Sequence, residues 1–176
     1  MDTLDDFVAA SVAAARRERP ADGLAALLTE AMARSGWLAG IMPEDTEDET
    51  LLHVSDDLTI YHIKLAPGIL YPPHSHEMGV VIGFYEGCET SLIFEEQGDG
   101  TLRPTGRLDL EAPDVGRLKP DVIHAITNEG KTTSRAVHYY LGNLLAQPRR
   151  LWNPATGEAM PFDNEKYFAF ATENRG

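Results

Sequence analysis

The stretch 71-YPPHSHEMGVVIGFYEG-87 places two histidines two residues apart, behind a pair of prolines and ahead of an apolar run that ends in glycine. Side chains alternate across a β-strand, so His74 and His76 point the same way. Pro72 and Pro73 stiffen the approach and suit a strand entry. One short backbone segment thus offers two imidazoles on one face, a good ligand type for Zn, Cu, Fe or Ni. The same pair also suits a histidine-lined core, and the surrounding sequence has to separate the two readings.

Short β-rich runs extend outward from this stretch: 51-LLHVS, 58-LTIYHIKL, 79-GVVIGFYEG, 90-TSLIFEE, 115-VGRLK, 122-VIHAITN and 135-RAVHYYLG. Turn residues separate them, at Pro67-Gly68, Gly98-Asp99-Gly100, Pro113-Asp114 and Glu129-Gly130. Such spacing predicts an all-β sandwich or barrel over about residues 50–145. Residues 3–18 read as an amphipathic helix with a Thr3/Asp6 capping box, stopped by Pro20. A second helix is expected from Asp22 to Ser35, with Asp22 as cap and Gly36 just past its end. Their apolar stripes suit packing on the body or on a second copy of the chain in a homodimer. The acidic stretch 43-PEDTEDE-49 reads as a solvated connector. The segment 148-PRRLWNPATGEAMPFDNEKYF-168 reads as an irregular wrap, with Trp152 and the prolines covering one edge of the barrel. The whole chain, 1–176, is expected to form a single domain.

Composition narrows the function classes. The 176 residues carry 28 acidic against 15 basic side chains, a formal net charge of −13. That charge repels phosphate backbones and anionic lipid surfaces, so neither nucleic acid nor membrane is an expected partner. A single cysteine, Cys88, excludes an intrachain disulfide and fits a reducing compartment. The N-terminus opens on acids rather than a basic leader, and no apolar run reaches bilayer-spanning length. The expected location is cytoplasmic.

A third histidine follows in 116-GRLKPDVIHAITNEG-130. His124 on a strand reads either as a satisfied core histidine or as a partner of the first pair. Together the stretches resemble the cupin superfamily. The first cupin motif, G-x5-H-x-H-x3–4-E-x6-G, is matched by Gly68, His74, His76 and Gly87, with Val80 in place of the glutamate. The second, G-x5-P-x-G-x2-H-x3-N, is matched in shortened form by Gly116, Pro120, His124 and Asn128. The resemblance covers about residues 50–145. It implies an all-β double-stranded β-helix (jelly roll), preceded by two helices, with His74, His76 and His124 on one metal. Val80 cannot coordinate, and Glu77, directly after His76, should face away.

A three-histidine cupin without the glutamate looks like the cysteine dioxygenase family of thiol dioxygenases. That resemblance implies Fe(II) as the cofactor, with Zn, Mn, Ni or Cu as other metals the ligands accept, and a small-molecule substrate together with O2 as partners. In 136-AVHYYLG-142, His138 and Tyr140 match a family pair in which the histidine orients the tyrosine and the tyrosine hydroxyl bonds to substrate or bound oxygen. From the residues alone the pair also reads as a buried His and Tyr bonded to backbone. Ala136 replaces the family's serine, Val80 removes its cross-linking cysteine, and residues 44–63 hold no arginine for a substrate carboxylate. These departures turn the likeness away from cysteine itself. It is closer to predicted metal-dependent enzymes of the double-stranded β-helix superfamily, which share 81-VIGFYEG-87 and the downstream 152-WNP-154. Two other readings fit a metal cupin: an isomerase or lyase using Zn or Mn as a Lewis acid, and a non-enzymatic small-molecule binder. His62 is expected to be structural, His53 exposed, and Cys88 a small buried or rim thiol. Lys64, Lys119 and Arg135 are the cations considered for a substrate carboxylate.

Overall fold

The structure, a computed structural model, describes residues 1–44 and 48–173. Three helices lead: α1 (Leu4–Ala15), α2 (Pro20–Met32) and α3 (Ser35–Ile41). The strands follow as β1 (Glu49–Val54), β2 (Thr59–Leu65), β3 (Ile69–Leu70), β4 (His74–Ser75), β5 (Val80–Glu86), β6 (Cys88–Glu96), β7 (Leu102–Glu111), β8 (Val115–Leu118), β9 (Ile123–Thr127) and β10 (Ser134–Tyr140). The C-terminal segment adds β11 (Arg150–Trp152), β12 (Ala159–Pro161), α4 (Asn164–Ala169) and β13 (Thr172–Glu173).

Among the described residues all pairings are antiparallel and form two sheets. One runs β1-β2-β10-β5-β8; the other runs β12-β11-β4-β9-β3-β13, with β6 joined to β9 and carrying β7. Between β2 and β11 the chain passes repeatedly from one sheet to the other: β2, then β3 and β4 opposite, β5 back, β6 and β7 opposite, β8 back, β9 opposite, β10 back. That winding is a double-stranded β-helix. The fold is the cupin jelly roll expected from the sequence.

Period-two alternation assigns each face of the first sheet. On β10, Val137 and Tyr139 face outward to the helices, whereas Ala136 and Tyr140 face the interior. On β5, Val81 and Tyr85 face the helices, and Val80, Ile82 and Phe84 face inward. The outer face is closed by α1–α3 through Phe7, Leu24, Leu28 and Leu38, all fully buried. Burial of side chains of this size contributes about 1.5–3 kcal/mol each. Gly83 makes room for α2: a Cβ there would lie 3.0 Å from Met32 and 3.1 Å from Leu28. Ser11 and Tyr139, hydroxyl to hydroxyl at 2.7 Å, pin α1 to the sheet.

Several sequence expectations change. The capping box of Thr3 and Asp6 is present, but α1 ends at Ala15. Pro20 does not merely stop it; it opens α2 in the first turn, where its missing N–H costs nothing. Asp22 lies inside that turn and not at the cap, and Gly36, expected just past the second helix, belongs to a third helix that the sequence reading did not include. The hairpin strand β7 was not foreseen, because 102-LRPTGRLDLE-111 carries Pro104 and an exposed, charged face. The C-terminal wrap is more regular than expected. Its β11 joins the second sheet beside His74, and Trp152 is 1% exposed. Of the acidic connector at 43–49, residues 45–47 lie outside the described residues.

Candidate metal centre

The strand β4 is only two residues long, set between Pro73 and a left-handed Glu77 with φ of 55°. It is held between β9 and β11: His74 pairs with His124 on one side and Leu151 on the other. His124 also pairs with Ile93 of β6, so it is fixed from two directions. The imidazoles of His74, His76 and His124 are 4%, 6% and 3% exposed. One ring nitrogen of each lies within 4.8 Å of the others. The three histidines singled out in sequence therefore converge.

The Nδ1 atoms of two of the rings are held from outside the cluster. His74 Nδ1 donates to the Pro72 carbonyl at 3.0 Å, which leaves Nε2 as the lone pair. His124 Nδ1 meets the Ser91 hydroxyl at 3.0 Å, so its Nε2 is the nitrogen turned to the cluster. The Nε2 atoms of His76 and His124 are 3.0 Å apart. Ligand nitrogens about 2.0–2.1 Å from a common ion sit roughly 3–4 Å from each other, so small side-chain rotations close the set on a divalent metal. The donor set, three neutral imidazoles, suits Fe, Zn, Cu or Ni. Burial keeps the rings neutral, as a metal ligand must be: His74 is pushed down to about 4, and His76 and His124 lie well below the ordinary histidine value.

Val80 occupies the expected glutamate place. It is 1% exposed, faces the interior and stands opposite Tyr140 in the β5–β10 register. Glu77 is exposed and turned outward, accepting from Ser75 Oγ at 2.8 Å and approaching Arg150. No carboxylate joins the histidine cluster among the described residues.

The free space at the histidines is about 50 Å³, walled also by Tyr61, His138, Tyr140, Arg149 and Tyr167. It opens into a groove of about 870 Å³ between the 144–150 segment and residues 159–164, and Arg149 and Phe162 line both. Tyr140 stacks obliquely on His76, ring centroids 5.1 Å apart. Its hydroxyl is 3.5 Å from His138 Nδ1, a long contact. Burial raises the Tyr140 phenol well above its ordinary value and lowers His138 to about 3. Tyr140 is thus a donor and His138 a neutral ring.

The cation at the site is Arg149, which sequence reasoning did not select. Its guanidinium carbon lies 3.4 Å from the Phe162 ring centroid, and burial lowers its pKa. Of the three cations considered, Arg135 pairs with Glu86 at 3.0 Å, Lys119 is exposed on another face, and Lys64 is buried on β2; none lines this cavity. The adjacent 149-RR-150 was the only signal, and it does not say which arginine turns inward.

Other assignments resolve as follows. His62 is fully buried, its Nε2 2.7 Å from Tyr85 Oη on the helix side, a structural role as expected. His53, on β1, is half-buried and not exposed, its Nε2 shielded from solvent. Cys88 is partly buried with Sγ 3.5 Å from Asn128 Oδ1. Asn128 holds a turn, donating to the carbonyls of Leu65 at 2.8 Å and Thr132 at 2.9 Å.

No family model matches the chain. Among solved structures, it is similar to an uncharacterised double-stranded β-helix protein of Klebsiella pneumoniae, with 17% identity and a TM-score of 0.47 over 65% of this chain and 87% of that one. An RmlC-like cupin family protein of Methanocaldococcus jannaschii matches at 17% identity and a TM-score of 0.46, over 59% and 89% of the two chains. Bacillus subtilis oxalate decarboxylase, described with Mn(II) centres, matches at 17% identity and a TM-score of 0.46, over 66% of this chain and 31% of its own length. Strand order and register, given above, define the fold independently of these matches. No helix among the described residues is long and apolar enough to cross a membrane.

Proposed function

We propose that the protein is a metal-dependent oxygenase holding Fe(II) on His74, His76 and His124 and acting on a small anionic, metal-chelating metabolite such as a thiol. The observation that carries this reading is the trio of converged imidazoles with an apolar Val80 where a carboxylate ligand would stand. Bound there, the metal keeps its full charge and supplies a place where a substrate anion and dioxygen can meet.

The chain's own residues fit the rest of the task. Arg149 faces the substrate's negative charge from the cavity wall, which it shares with Glu49. Tyr140 keeps its proton and donates a hydrogen bond into the cavity beside His76. His138 stays neutral and braces that hydroxyl. The inner space of about 50 Å³ admits the reacting end of a substrate and little water. The groove of about 870 Å³ receives the remainder.

The test is metal analysis of the purified chain with an oxygen-electrode screen of cysteine, 3-mercaptopropionate, cysteamine and mercaptosuccinate. Oxygen uptake that requires Fe(II) and one of these thiols is the expected result. Turnover that persists without oxygen would replace the oxygenase with a Lewis-acid isomerase or lyase. A chain that takes up no transition metal after Fe(II) reconstitution would be a non-enzymatic binder.

A further inference from the structure

A buried carboxylate stands behind the histidine cluster, and nothing in the reading above uses it. Glu89, on β6, is 2% exposed. Its Oε1 accepts from the Ser91 hydroxyl at 3.3 Å, and Oε2 has no hydrogen-bond partner among the described residues. Ser91, also 2% exposed, is in turn 3.0 Å from His124 Nδ1. We propose that Glu89 is the remote carboxylate of this metal centre, a positioning residue that acts on His124 through Ser91. The inference rests on the three-histidine metal reading.

The direction of the chain of hydrogen bonds follows from proton counting. A hydroxyl has one proton to give. If Ser91 gives it to Glu89, its oxygen accepts from His124 Nδ1–H, and His124 presents a lone pair at Nε2, where the other rings converge. If Ser91 instead gave its proton to His124, Nε2 would carry a proton aimed at the ligand site, and both Glu89 oxygens would be buried without a donor. An unpartnered buried carboxylate is disfavoured, so Glu89 in its ionised form, the form a nearby divalent cation favours, selects the metal-binding tautomer. Ligating histidines generally hand their second N–H to an acceptor, and that partner sets ring orientation and basicity. His74 uses the Pro72 carbonyl for this purpose; His124 uses Ser91 with Glu89 behind it.

Charge gives a second reason. Three neutral ligands leave a divalent ion uncompensated in a buried site. Val80 is apolar, Glu77 is turned outward, and Glu49 on the cavity wall has Arg149 as its charge neighbour; Glu89 is the carboxylate that connects to a ligand through one hydroxyl. A purely structural role explains the position poorly. Glu89 pairs across the β6–β7 ladder with Leu110, a member of the apolar interior, and Ser91 is its one hydrogen-bond partner among the described residues. Burial also raises its carboxyl to about 7, as expected where no cation is at hand.

The test measures the affinity of the full chain for Zn(II) and Co(II) by chelator competition, together with melting of the metal-free protein. Glu89→Gln keeps the acceptor and removes the charge, and Ser91→Ala breaks the link. Each is expected to lose about 10–100-fold in metal affinity. The double variant should fall little below the weaker single one, because both cut one relay. Ser91→Thr, which retains a hydroxyl, should restore affinity to within about threefold. Metal-free Glu89→Gln should melt no lower than the parent, a separation that a structural role would not produce. Unchanged affinity in Glu89→Gln or Ser91→Ala, with the parent binding metal, overturns this inference alone. A parent chain that binds neither ion overturns it together with the metal reading.

Discussion

His74 and His124 face each other directly across the β4–β9 ladder, with ring centroids 4.6 Å apart. Antiparallel partners on one face are near neighbours whatever their sequence separation, so two proposed ligands are placed by backbone pairing alone. Replacing His124 by Ala should therefore remove a ligand without disturbing the ladder. The expected result is bound metal falling below about a tenth of an equivalent while the far-UV circular dichroism is retained. Stoichiometric metal in the variant would refute the assignment of His124.

Period two put His74 and His76 on one strand face, but the joining of His124 to them and the place of Val80 were legible only through the resemblance to the two cupin motifs. Arg149 and Glu89 were not. Arg149 reaches the cavity only because β11 docks beside β4, a pairing across more than seventy residues that leaves no local trace. Glu89 looks in sequence like an ordinary strand-end acid after a glycine turn, and only the β6–β7 register, which sets it opposite Leu110, shows it facing the interior. The helices were read correctly as amphipathic, yet Pro20 served as a first-turn residue and the short α3 had too few residues to show a period.

Acid should destabilise the metal-free protein. Burial lowers His74 to about 4 and His138 to about 3, with His76 and His124 also well below the ordinary value. A group depressed in the folded state gives stability that is present above its unfolded pKa, about 6.5, and is lost as pH falls toward the folded value. Glu89 acts oppositely: raised to about 7, it loses stability as pH rises from its unfolded value, about 4.3, to 7. Four histidines outweigh one carboxyl below pH 6.5. Urea midpoints of metal-free protein should fall steadily from pH 6.5 to 4, and a flat profile would show that these rings are not buried neutral. Glu89→Gln should steepen the fall by removing the opposing group.

Arg149 is expected to govern affinity for the anion rather than the metal. A hydrogen bond to a charged group contributes about 1.5–3 kcal/mol, so Arg149→Met should raise KM for an anionic substrate about 10–100-fold. Metal content should stay at the parent level, since Arg149 donates to no histidine nitrogen. Arg149→Lys should recover only part of the loss, because a lysine cannot reproduce the planar stacking on Phe162. Equal KM values in parent and Arg149→Met would remove this residue from substrate binding.

Gly87 carries the chain from β5 to β6 and so sets where Glu89 and Ser91 fall beneath His124. Its φ is 67°, and a Cβ there would lie 2.7 Å from Ser134 Cα. Two costs are combined at this position. The left-handed backbone alone penalises a side chain by about 1–3 kcal/mol, a penalty that Asn tolerates better than Ala. The collision with Ser134 is with main chain, which cannot rotate away, and it is the same for both. Gly87→Ala and Gly87→Asn should therefore both destabilise the protein by at least about 2 kcal/mol in urea denaturation, with Asn giving no rescue. Both should also weaken metal binding, because a shift of β6 separates Ser91 from His124 Nδ1. Recovery of parental stability in Gly87→Asn would mean that the backbone angle, and not the contact with Ser134, requires glycine here.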